Sequence, residues 1–280
     1  MNAPLTEISI GEALAWARRH IQPPDARLLL RHVCRASAAH LVAWAEQILS
    51  VAQWETFQHL VERRTEGEPI AYLIGEREFY GRAFLVNASV LIPRPETELL
   101  VELAVARFSA VPRPKVLDLG TGSGVLAITL ALELDRPEVT ATDISRDALA
   151  IATTNALRLG ASITFLWSDW YALLKREDRF QLIVANPPYI VEGDPHLTHG
   201  DLRFEPIAAL ASGRNGLHAL TAIVTGAGRY LEDGGWLFLE HGYDQAPAVR
   251  GLLADAGFAH ITSWKDLAGI ERVSVGRWTG

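Results

Sequence analysis

From Lys115 to the end of the chain, apolar strand-like runs alternate with helix-length segments. The strand patterns are KVLDLG, EVTATD, SITFLWSD, FQLIVAN and GGWLFLEHG, and most are separated by a segment long enough for a helix. Apolar strands separated in this way are typical of a parallel sheet covered on both faces. The last two patterns, HITSWKDL and ERVSVGRW, have no helix between them. The sequence therefore predicts an α/β fold with a mostly parallel sheet that ends in an antiparallel hairpin.

The first part of the chain has helical periodicity instead. Between positions 9 and about 66, apolar residues recur at intervals of three and four, with breaks at QPPD and RASAAH. This spacing predicts a bundle of short amphipathic helices. The charges of the segment nearly balance, so it carries no evident face for a nucleic acid. Packing or oligomerisation, on one side, and partner recognition, on the other, are equally good interpretations of such a module.

A change of pattern marks the boundary between these two parts. Residues 67–86 alternate apolar and polar side chains, with Gly75 and Gly81 as turn points, which predicts a hairpin-like connector. The two prolines of LIPRPE then stiffen the entry to a helix that ends near Phe108. The predicted divisions are a helical domain over residues 1–75, a connector over 76–90 and an α/β domain over 91–280.

Composition limits the partners and the compartment. The formal net charge of -7 argues against broad electrostatic capture of nucleic acid. The single cysteine, Cys34, cannot form an internal disulfide or a cysteine metal site, which favours a reducing compartment. The first residues lack the basic and apolar regions of a secretion signal, and no run approaches about 18 apolar residues. We therefore expect a cytoplasmic protein that does not enter a membrane.

The segment VLDLGTGSGVLA places three glycines between a strand and its helix. Gly120, Gly122 and Gly124 allow the backbone to approach a ligand and expose amide groups at the positive end of the helix. The dinucleotide fingerprint G-x-G-x-x-G would need glycine at position 125, where this chain has Val125. The loop is therefore a poor match for NAD.

Polar residues at the ends of the next two strands suggest a nucleoside. Asp143 can accept both hydroxyl hydrogens of a ribose, Asp169 can accept from an exocyclic amino group, and Trp170 can form an apolar wall for a purine. Each feature alone is common, since a strand-ending Asp is often only a helix cap. Together, in this order, they favour S-adenosylmethionine, which has no pyrophosphate. Here the sequence resembles the Rossmann-like methyltransferases, whose sheets end in an antiparallel hairpin.

The fourth strand pattern delivers the sequence Asn-Pro-Pro-Tyr to the carboxyl edge of the sheet, where open α/β folds bind ligands. An amide nitrogen is a poor nucleophile because its lone pair is delocalised. Two acceptors on its N–H groups can hold it and favour a localised lone pair for attack on a methyl group. The Asn186 side-chain oxygen and the Pro187 carbonyl can supply them, and Tyr189 can stack on the planar group. This chemistry needs no metal and no covalent enzyme intermediate. The alternative is that Asn-Pro-Pro only terminates a strand.

Seven segments spread over nearly the whole chain carry a wider resemblance: FLVNASVLIPRPETELLVE, LDLGTGSG, NPPYI, DPHL, DLRFEP, LEHG and ERVSVGRW. In these segments the sequence is similar to the peptide-chain release factor N5-glutamine methyltransferase family. The resemblance implies a helical N-terminal domain joined to a Rossmann-like class I methyltransferase domain. It also implies methyl transfer from S-adenosylmethionine to the side-chain amide nitrogen (N5) of the glutamine in the Gly-Gly-Gln (GGQ) motif of class 1 release factors.

The resemblance also implies roles for individual residues. Those expected to hold the methyl donor, together with Asp169 from the strand-end argument, are Gly120, Thr121, Gly122, Ser123, Gly124, Asp143, Trp170 and Asn186. Those expected to hold the substrate glutamine are Asn186, Pro187, Pro188 and Tyr189, of which Asn186, Pro187 and Tyr189 are also expected to be catalytic. Residues 1–75 are expected to help recognise the release factor, and residues 91–280 to transfer the methyl group.

Other substrates share the Asn-Pro-Pro-Tyr motif and stay open as alternatives. They are a glutamine of a ribosomal protein and the amino groups of nucleic-acid bases. The acidic net charge of the chain argues against a nucleic-acid substrate. A non-catalytic cofactor-binding scaffold is an alternative of another class. We expect a monomer with no resident metal and no direct contact with nucleic acid. Four nearby residues stay without an assigned role: Arg94, His196, His199 and Glu205.

Overall fold

The computed structural model describes residues 7–280 and divides into two compact units. Residues 1–6, with which the predicted helical domain begins, lie outside the described residues. One unit contains the chain up to Glu76 together with Gly200–Phe204. The other contains Arg77–His199 and Glu205–Gly280.

The first unit is a bundle of five helices in the described part of the chain. They are α1 (Ile10–Ala17), α2 (Pro23–Cys34), α3 (Ala38–Ala43), α4 (Val51–Thr65) and α5 (Ile70–Ile74). Serine side chains at positions 9, 37 and 50 cap the starts of α1, α3 and α4, and those of α1 and α4 form complete capping boxes. Such caps satisfy N–H groups that have no partner inside the helix. The predicted bundle of short helices is confirmed.

The periodic apolar residues do not all enter the core of this unit. The buried cluster contains Ile10, Leu29, Phe57, Leu60 and others from all five helices and the α3–α4 loop. Three residues of the periodic pattern, Leu28, Trp44 and Ile48, are exposed instead. Trp44 and Ile48 fall in the loop after α3, where helical spacing no longer decides which side faces inward.

The segment Gly200–Phe204 belongs to the first unit although it follows the Asn-Pro-Pro-Tyr motif by only eleven residues. Arg64 pairs with Asp25 at 2.8 Å and with Asp201 at 3.1 Å. The guanidinium group of Arg203 donates to the carbonyl of Glu66. The periodicity of the first 75 residues cannot show that Gly200–Phe204 belongs to this unit. The ion pair that joins them, Arg64 with Asp201, links residues 137 positions apart.

The prediction of a hairpin-like connector, made from residues 67–86, is correct only for the second half of that segment. Its first half is the helix α5, which ends at Gly75 with φ of 81°. Its second half is a two-stranded hairpin of β1 (Glu76–Phe79) and β2 (Arg82–Leu85). The turn residues Tyr80 and Gly81 both have positive φ, 50° and 72°, as a tight type I′ hairpin turn requires. A short apolar run does not distinguish a buried helix from a strand, which explains the error.

The second unit is built on a seven-stranded sheet. Its strands are β3 (Lys115–Leu119), β4 (Glu138–Asp143), β5 (Ile163–Trp167), β6 (Phe180–Ala185), β7 (Leu231–Glu240), β8 (Ala259–Lys265) and β9 (Glu271–Arg277). The spatial order is β5-β4-β3-β6-β7-β9-β8. All neighbours are parallel except that β9 runs antiparallel to both β7 and β8. The predicted parallel sheet with a closing antiparallel hairpin is therefore confirmed.

Helices cover both faces of this sheet. They are α6 (Glu98–Phe108), α7 (Val125–Glu133), α8 (Arg146–Leu159), α9 (His218–Ala227) and α10 (Ala246–Asp255). One buried cluster joins α6, α7 and α8 to one face, and a second joins α9 and α10 to the other. The strand order reverses between β3 and β6, so a crevice opens at their carboxyl ends, where open α/β sheets bind ligands.

We expect Gly124→Ala to destabilise the second unit by about 2–3 kcal/mol, because it combines a left-handed backbone with overpacking. Gly124 is the N-cap of α7 and has φ of 87°, and an added Cβ would lie 2.8 Å from Ile128 Cδ1 and 3.2 Å from Ala152 Cβ. The matched control is Gly122→Ala, which has φ of 56° and open space, and should cost about 1 kcal/mol. Urea unfolding of both variants checks this, and equal losses would show that packing at Gly124 is unimportant.

Candidate active site

A cavity of about 460 Å³ lies in the second unit at the carboxyl ends of β3, β4 and β6. Its volume is within the range of about 300–1,000 Å³ that is usual for small-molecule sites. The predicted site residues that line it are Gly120, Thr121, Gly122, Ser123, Asp143, Asp169, Trp170, Asn186 and Pro188. Three predicted residues are not among its lining: Gly124, Pro187 and Tyr189. Most of the residues chosen from sequence thus meet at one cavity.

The glycine loop is fixed by its neighbours in the sheet. The backbone N–H groups of Gly120 and Thr121 both donate to the carbonyl of Thr142, at 2.9 and 3.0 Å. Beneath the loop, Asp118 Oδ2 accepts from the Thr121 hydroxyl group at 2.6 Å and from the backbone N–H of Ala127 at 3.2 Å. A loop held in this way presents its backbone to the cavity without needing a ligand to order it.

Asp118 was not predicted as a functional residue. Its side chain is fully buried at the end of β3, and burial raises the pKa of its carboxyl group to about 7. Within the described part of the chain its Oδ1 atom has no hydrogen-bond partner. The signal in the sequence was a charged residue inside an otherwise apolar strand, which is rare unless the residue has a specific role.

Asp143 is held by backbone N–H groups at the end of β4. Its Oδ2 accepts from Gly122 at 2.9 Å and its Oδ1 accepts from Ser145 at 2.8 Å. Burial raises the pKa of Asp143, and these N–H groups oppose that shift by favouring the charged form. A carboxylate oxygen can accept two hydrogen bonds, so each oxygen retains an acceptor position. This geometry suits a group with two adjacent hydroxyls, such as a ribose.

Apolar walls flank this carboxylate. Ile144, the residue after Asp143, lines the cavity and is 62% exposed, although the sequence argument did not single it out. Trp170 also lines the cavity and has a left-handed backbone with φ of 44°. A Cβ on Gly120 would lie 3.3 Å from the Trp170 ring, so glycine is needed there for the indole to pack against the loop. Strained backbone of this kind is often found at ligand sites.

Asn186 reaches the cavity from the end of β6. Its Nδ2 atom donates to the hydroxyl oxygen of Thr97 at 3.1 Å, and its Oδ1 accepts no hydrogen bond from any described residue. Pro188 lines the cavity and Pro187 is buried behind it. In the described structure no N–H group donates to the Pro187 carbonyl. Two acceptors of the motif, the Asn186 amide oxygen and the Pro187 carbonyl oxygen, therefore have no partner within the described residues.

Tyr189 faces the protein interior rather than the cavity wall. Its ring packs against the second core cluster, and its hydroxyl group donates to Glu240 Oε1 at 3.4 Å. Its carbonyl accepts from the side-chain amide of Gln245 at 3.0 Å. Burial raises the pKa of Tyr189 well above its usual range, so this residue remains protonated at physiological pH.

A partly buried ion pair links two walls of the cavity. Glu205, whose side chain has no exposed surface, accepts from Arg94 Nη2 at 2.5 Å and from the backbone N–H of Ile92 at 3.0 Å. Arg94 lines the cavity, as do neighbours of Glu205 such as Pro206. The sequence left both residues without a role. His196 and His199 are exposed and do not line the cavity.

The described residues contain no cluster of three or more side chains suited to a metal ion. Within residues 7–280, no helix is long and apolar enough to cross a membrane.

We expect the second unit to become more stable as the pH falls from about 8 to about 6. Burial raises the pKa of Glu240 from 4.5 to about 7, with Glu96 adding to the shift and Arg272 opposing it. A carboxyl group whose pKa is raised by folding stabilises the protein below its unfolded pKa, and this contribution is lost as the pH rises through the folded pKa. Urea unfolding at both pH values tests this. Glu240→Gln should reduce the pH dependence, and an unchanged dependence would contradict the expectation.

Two family models match the chain. One, described as "Methyltransferase small domain", matches residues 95–201, and the other, "PrmC N-terminal domain", matches residues 11–75. A release factor glutamine methyltransferase of Bordetella pertussis is 50% identical over 252 residues, which are 90% of this chain and 93% of the relative. One of Vibrio cholerae is 45% identical over 279 residues, which are 97% of each.

Solved structures share the fold at lower identity. A methyltransferase of Pyrococcus furiosus is 15% identical with a TM-score of 0.53, and the match covers 78% of this chain and 98% of that one. A ribosomal protein L11 methylase of Lactobacillus delbrueckii is 22% identical with a TM-score of 0.51, covering 69% and 84%. These likenesses identify the sheet and helices of the second unit as a class I methyltransferase fold.

Proposed function

Because the chain belongs to the release factor glutamine methyltransferase family, we propose that it methylates the side-chain amide nitrogen (N5) of a release-factor glutamine. The glutamine is the one in the GGQ motif of class 1 peptide-chain release factors, and the methyl donor is S-adenosylmethionine. The observation that carries this proposal is the position of Asn186. Its amide oxygen has no partner within the described residues, at the edge of a cavity that also contains the glycine loop and Asp143.

The cavity fits the donor because its polar and apolar walls match the parts of an adenosyl group. Asp143 would hold the ribose hydroxyls, and Asp169 and Trp170 would contact the base. The loop from Gly120 to Gly124 would bring backbone close to the rest of the molecule. When bound, S-adenosylmethionine supplies an electrophilic methyl group on a sulfonium that carries its own leaving group.

The Asn-Pro-Pro-Tyr segment would hold the glutamine amide. The oxygens of Asn186 and Pro187 would each accept one of its N–H groups, which prevents rotation of the amide and favours a localised lone pair on nitrogen. Pro187 and Pro188 have no N–H groups to compete as donors, and their rings restrict the backbone. Pro188 would form a wall of the site. The Tyr189 ring packs against the second core cluster and does not line the cavity, so the structure does not support its predicted stacking on the amide.

We propose that the two parts of the chain have different roles. Residues 1–75 would help to recognise the release factor, and residues 91–280 would carry out methyl transfer. We place the enzyme in the cytoplasm as a monomer that does not contact nucleic acid directly. The net charge of -7 supports the last point, since phosphate binding needs a concentration of basic side chains.

The test is methyl transfer from labelled donor to four purified acceptors: a class 1 release factor, ribosomal proteins, RNA and DNA. We expect label on the release factor only. The control is the same release factor with its GGQ glutamine replaced by alanine, which should stay unlabelled. Label on a ribosomal protein or a nucleic acid, with none on the release factor, would contradict the proposal. Donor binding without transfer to any acceptor would favour a scaffold.

A further inference from the structure

The backbone that follows the Asn-Pro-Pro-Tyr turn is fixed by hydrogen bonds that have no part in the reaction described above. The N–H group of Ile190 donates to the carbonyl of Leu210 at 2.9 Å, and the carbonyl of Ile190 accepts from Ser212 at 2.8 Å. The strand β6 ends immediately before the turn. The turn therefore spans two fixed pieces of backbone. Its two prolines have no N–H groups with which to hold their own position, so its geometry depends on the anchors at its ends.

One side chain, that of Gln245, holds the last residue of the turn. Its Nε2 atom donates to the carbonyl of Tyr189 at 3.0 Å and to the carbonyl of Gly216 at 3.3 Å. Its Oε1 atom accepts from the N–H group of Gly242 at 2.9 Å. Gly216 lies in the loop before α9, and Gly242 lies in the loop after β7. A single half-buried amide thus joins three segments of the second unit.

The three partners determine the orientation of the Gln245 amide. A backbone carbonyl can only accept a hydrogen bond, and a backbone N–H group can only donate one. If the amide turned over, its oxygen would face two carbonyl oxygens and its NH₂ group would face the N–H group of Gly242. All three hydrogen bonds would then be lost. A side chain that combines two donors with an acceptor is therefore needed at this position.

The backbone around Gly216 approaches the turn so closely that no side chain fits there. Gly216 has φ of 71°, and an added Cβ would overlap the Tyr189 carbonyl oxygen and lie 2.7 Å from Gln245 Nε2. The chain leading to Gly216 also forms a wall of the cavity through Pro206 and Ala211. Gln245 consequently connects the Asn-Pro-Pro-Tyr turn to the segment that supplies another wall of the same cavity.

We propose that Gln245 is a positioning residue for methyl transfer, which fixes the Asn-Pro-Pro-Tyr turn through the Tyr189 carbonyl. The turn carries the oxygens of Asn186 and Pro187, which hold the substrate amide in the proposed function, so the inference rests on that function. Gln245 does not line the cavity and therefore acts through the turn. It makes no hydrogen bond to the glycine loop or to Asp143, so its loss should reduce turnover and leave donor affinity nearly unchanged.

The test compares Gln245→Glu with Gln245→Met in assays with a release factor as substrate. Glutamate keeps the acceptor for Gly242 but has no proton for the two carbonyls when it is ionised, as it is at about pH 8.5. Methionine has a similar length and removes all three hydrogen bonds. Both variants should lower kcat about 10-fold or more, because a displacement of about 1 Å can cost about 100-fold in rate. The Kd for S-adenosylmethionine should stay within about threefold of the wild type.

Normal turnover in either variant would overturn the inference. If only Gln245→Glu were normal, the bond to Gly242 would be the important one. If only Gln245→Met were normal, the added charge would be harmful and the lost hydrogen bonds would not matter.

The matched control is Gln181→Glu, near the start of β6 and thus at the opposite end of that strand from the turn. Gln181 is also half-buried, and its Oε1 accepts from the backbone N–H of Lys115 at 3.2 Å, a bond that glutamate can keep. This substitution adds the same charge to the same unit and should leave kcat within about twofold of the wild type. A fall as large as that of Gln245→Glu would attribute the effect to charge and would overturn the inference.

Urea unfolding and calorimetric titration of the donor show whether each variant is folded. A folded variant of Gln245 that binds the donor and turns over slowly supports positioning. Loss of donor binding together with turnover would show that Gln245 supports the whole second unit rather than the turn, and would overturn the inference. A wild-type enzyme that binds the donor but does not methylate release factor would instead overturn the proposed function, so the two failures are distinguishable.

Discussion

Replacing Asn186 with alanine is expected to lower kcat at least about 100-fold while changing the Kd for S-adenosylmethionine by less than about threefold. The side chain lines the cavity with an oxygen that has no partner within the described residues, and this oxygen is one of the two acceptors that hold the substrate amide. Loss of one preorganised polar group at a reacting centre typically costs about 10²–10³ in kcat. Steady-state kinetics and calorimetric titration of the donor measure the two quantities.

The matched control for this substitution is Asn215→Ala, at an exposed residue whose side chain caps the backbone of Leu217. It should leave kcat within about twofold of the wild type. If Asn186→Ala retained near-normal turnover, the substrate amide would be held by other groups and the proposed chemistry would be wrong. A scaffold without catalytic function also predicts no effect of Asn186→Ala on the protein's function.

Asp143→Ala should have the second largest effect, raising the Kd for S-adenosylmethionine about 30- to 100-fold. Two hydrogen bonds from ribose hydroxyls to a charged acceptor are together worth about 2–3 kcal/mol at this site. The substitution also removes the acceptors for the backbone N–H groups of Gly122 and Ser145, so the loop loses part of its order. At saturating donor, kcat should fall much less than the affinity does.

Asp147→Ala supplies the matched control for Asp143. Asp147 lies in the first turn of α8, is exposed and does not line the cavity. Donor affinity should stay within about twofold of the wild type in this variant. An equal loss of affinity in both variants would show that donor binding depends on negative charge near the start of α8, rather than on the specific contacts of Asp143.

The sheet and most of the candidate site could be predicted because short segments of the sequence indicate them. Each strand of the seven-stranded sheet is a short run bounded by a helix-length segment or a turn, and the seven observed strands match the seven patterns. The glycine loop, Asp143 and Asn186 stand at the ends of these runs. Since parallel strands present their carboxyl ends at one edge, their convergence on one cavity follows from topology.

Features that depend on tertiary contacts could not be predicted in this way. The hydrogen bond from Asn186 to Thr97 joins residues that are 89 positions apart, and the ion pair of Arg94 with Glu205 joins residues that are 111 positions apart. No pattern in one segment indicates such a partner. The helix α5 was mistaken for part of a hairpin because five apolar residues do not define a period. The packing of the Tyr189 ring against the core could not be predicted from the sequence either, because an aromatic residue after a strand can line a cavity or enter a core.

The most direct test of the central claim is mass spectrometry of a class 1 release factor after incubation with the enzyme and S-adenosylmethionine. Fragmentation of the peptide that contains the GGQ motif would locate the modification. We predict a mass increase of one methyl group on the glutamine side chain, absent without enzyme and strongly reduced with Asn186→Ala. A GGQ peptide that stays unmodified by the active, donor-binding enzyme, or a methyl group located on another residue, would contradict the account.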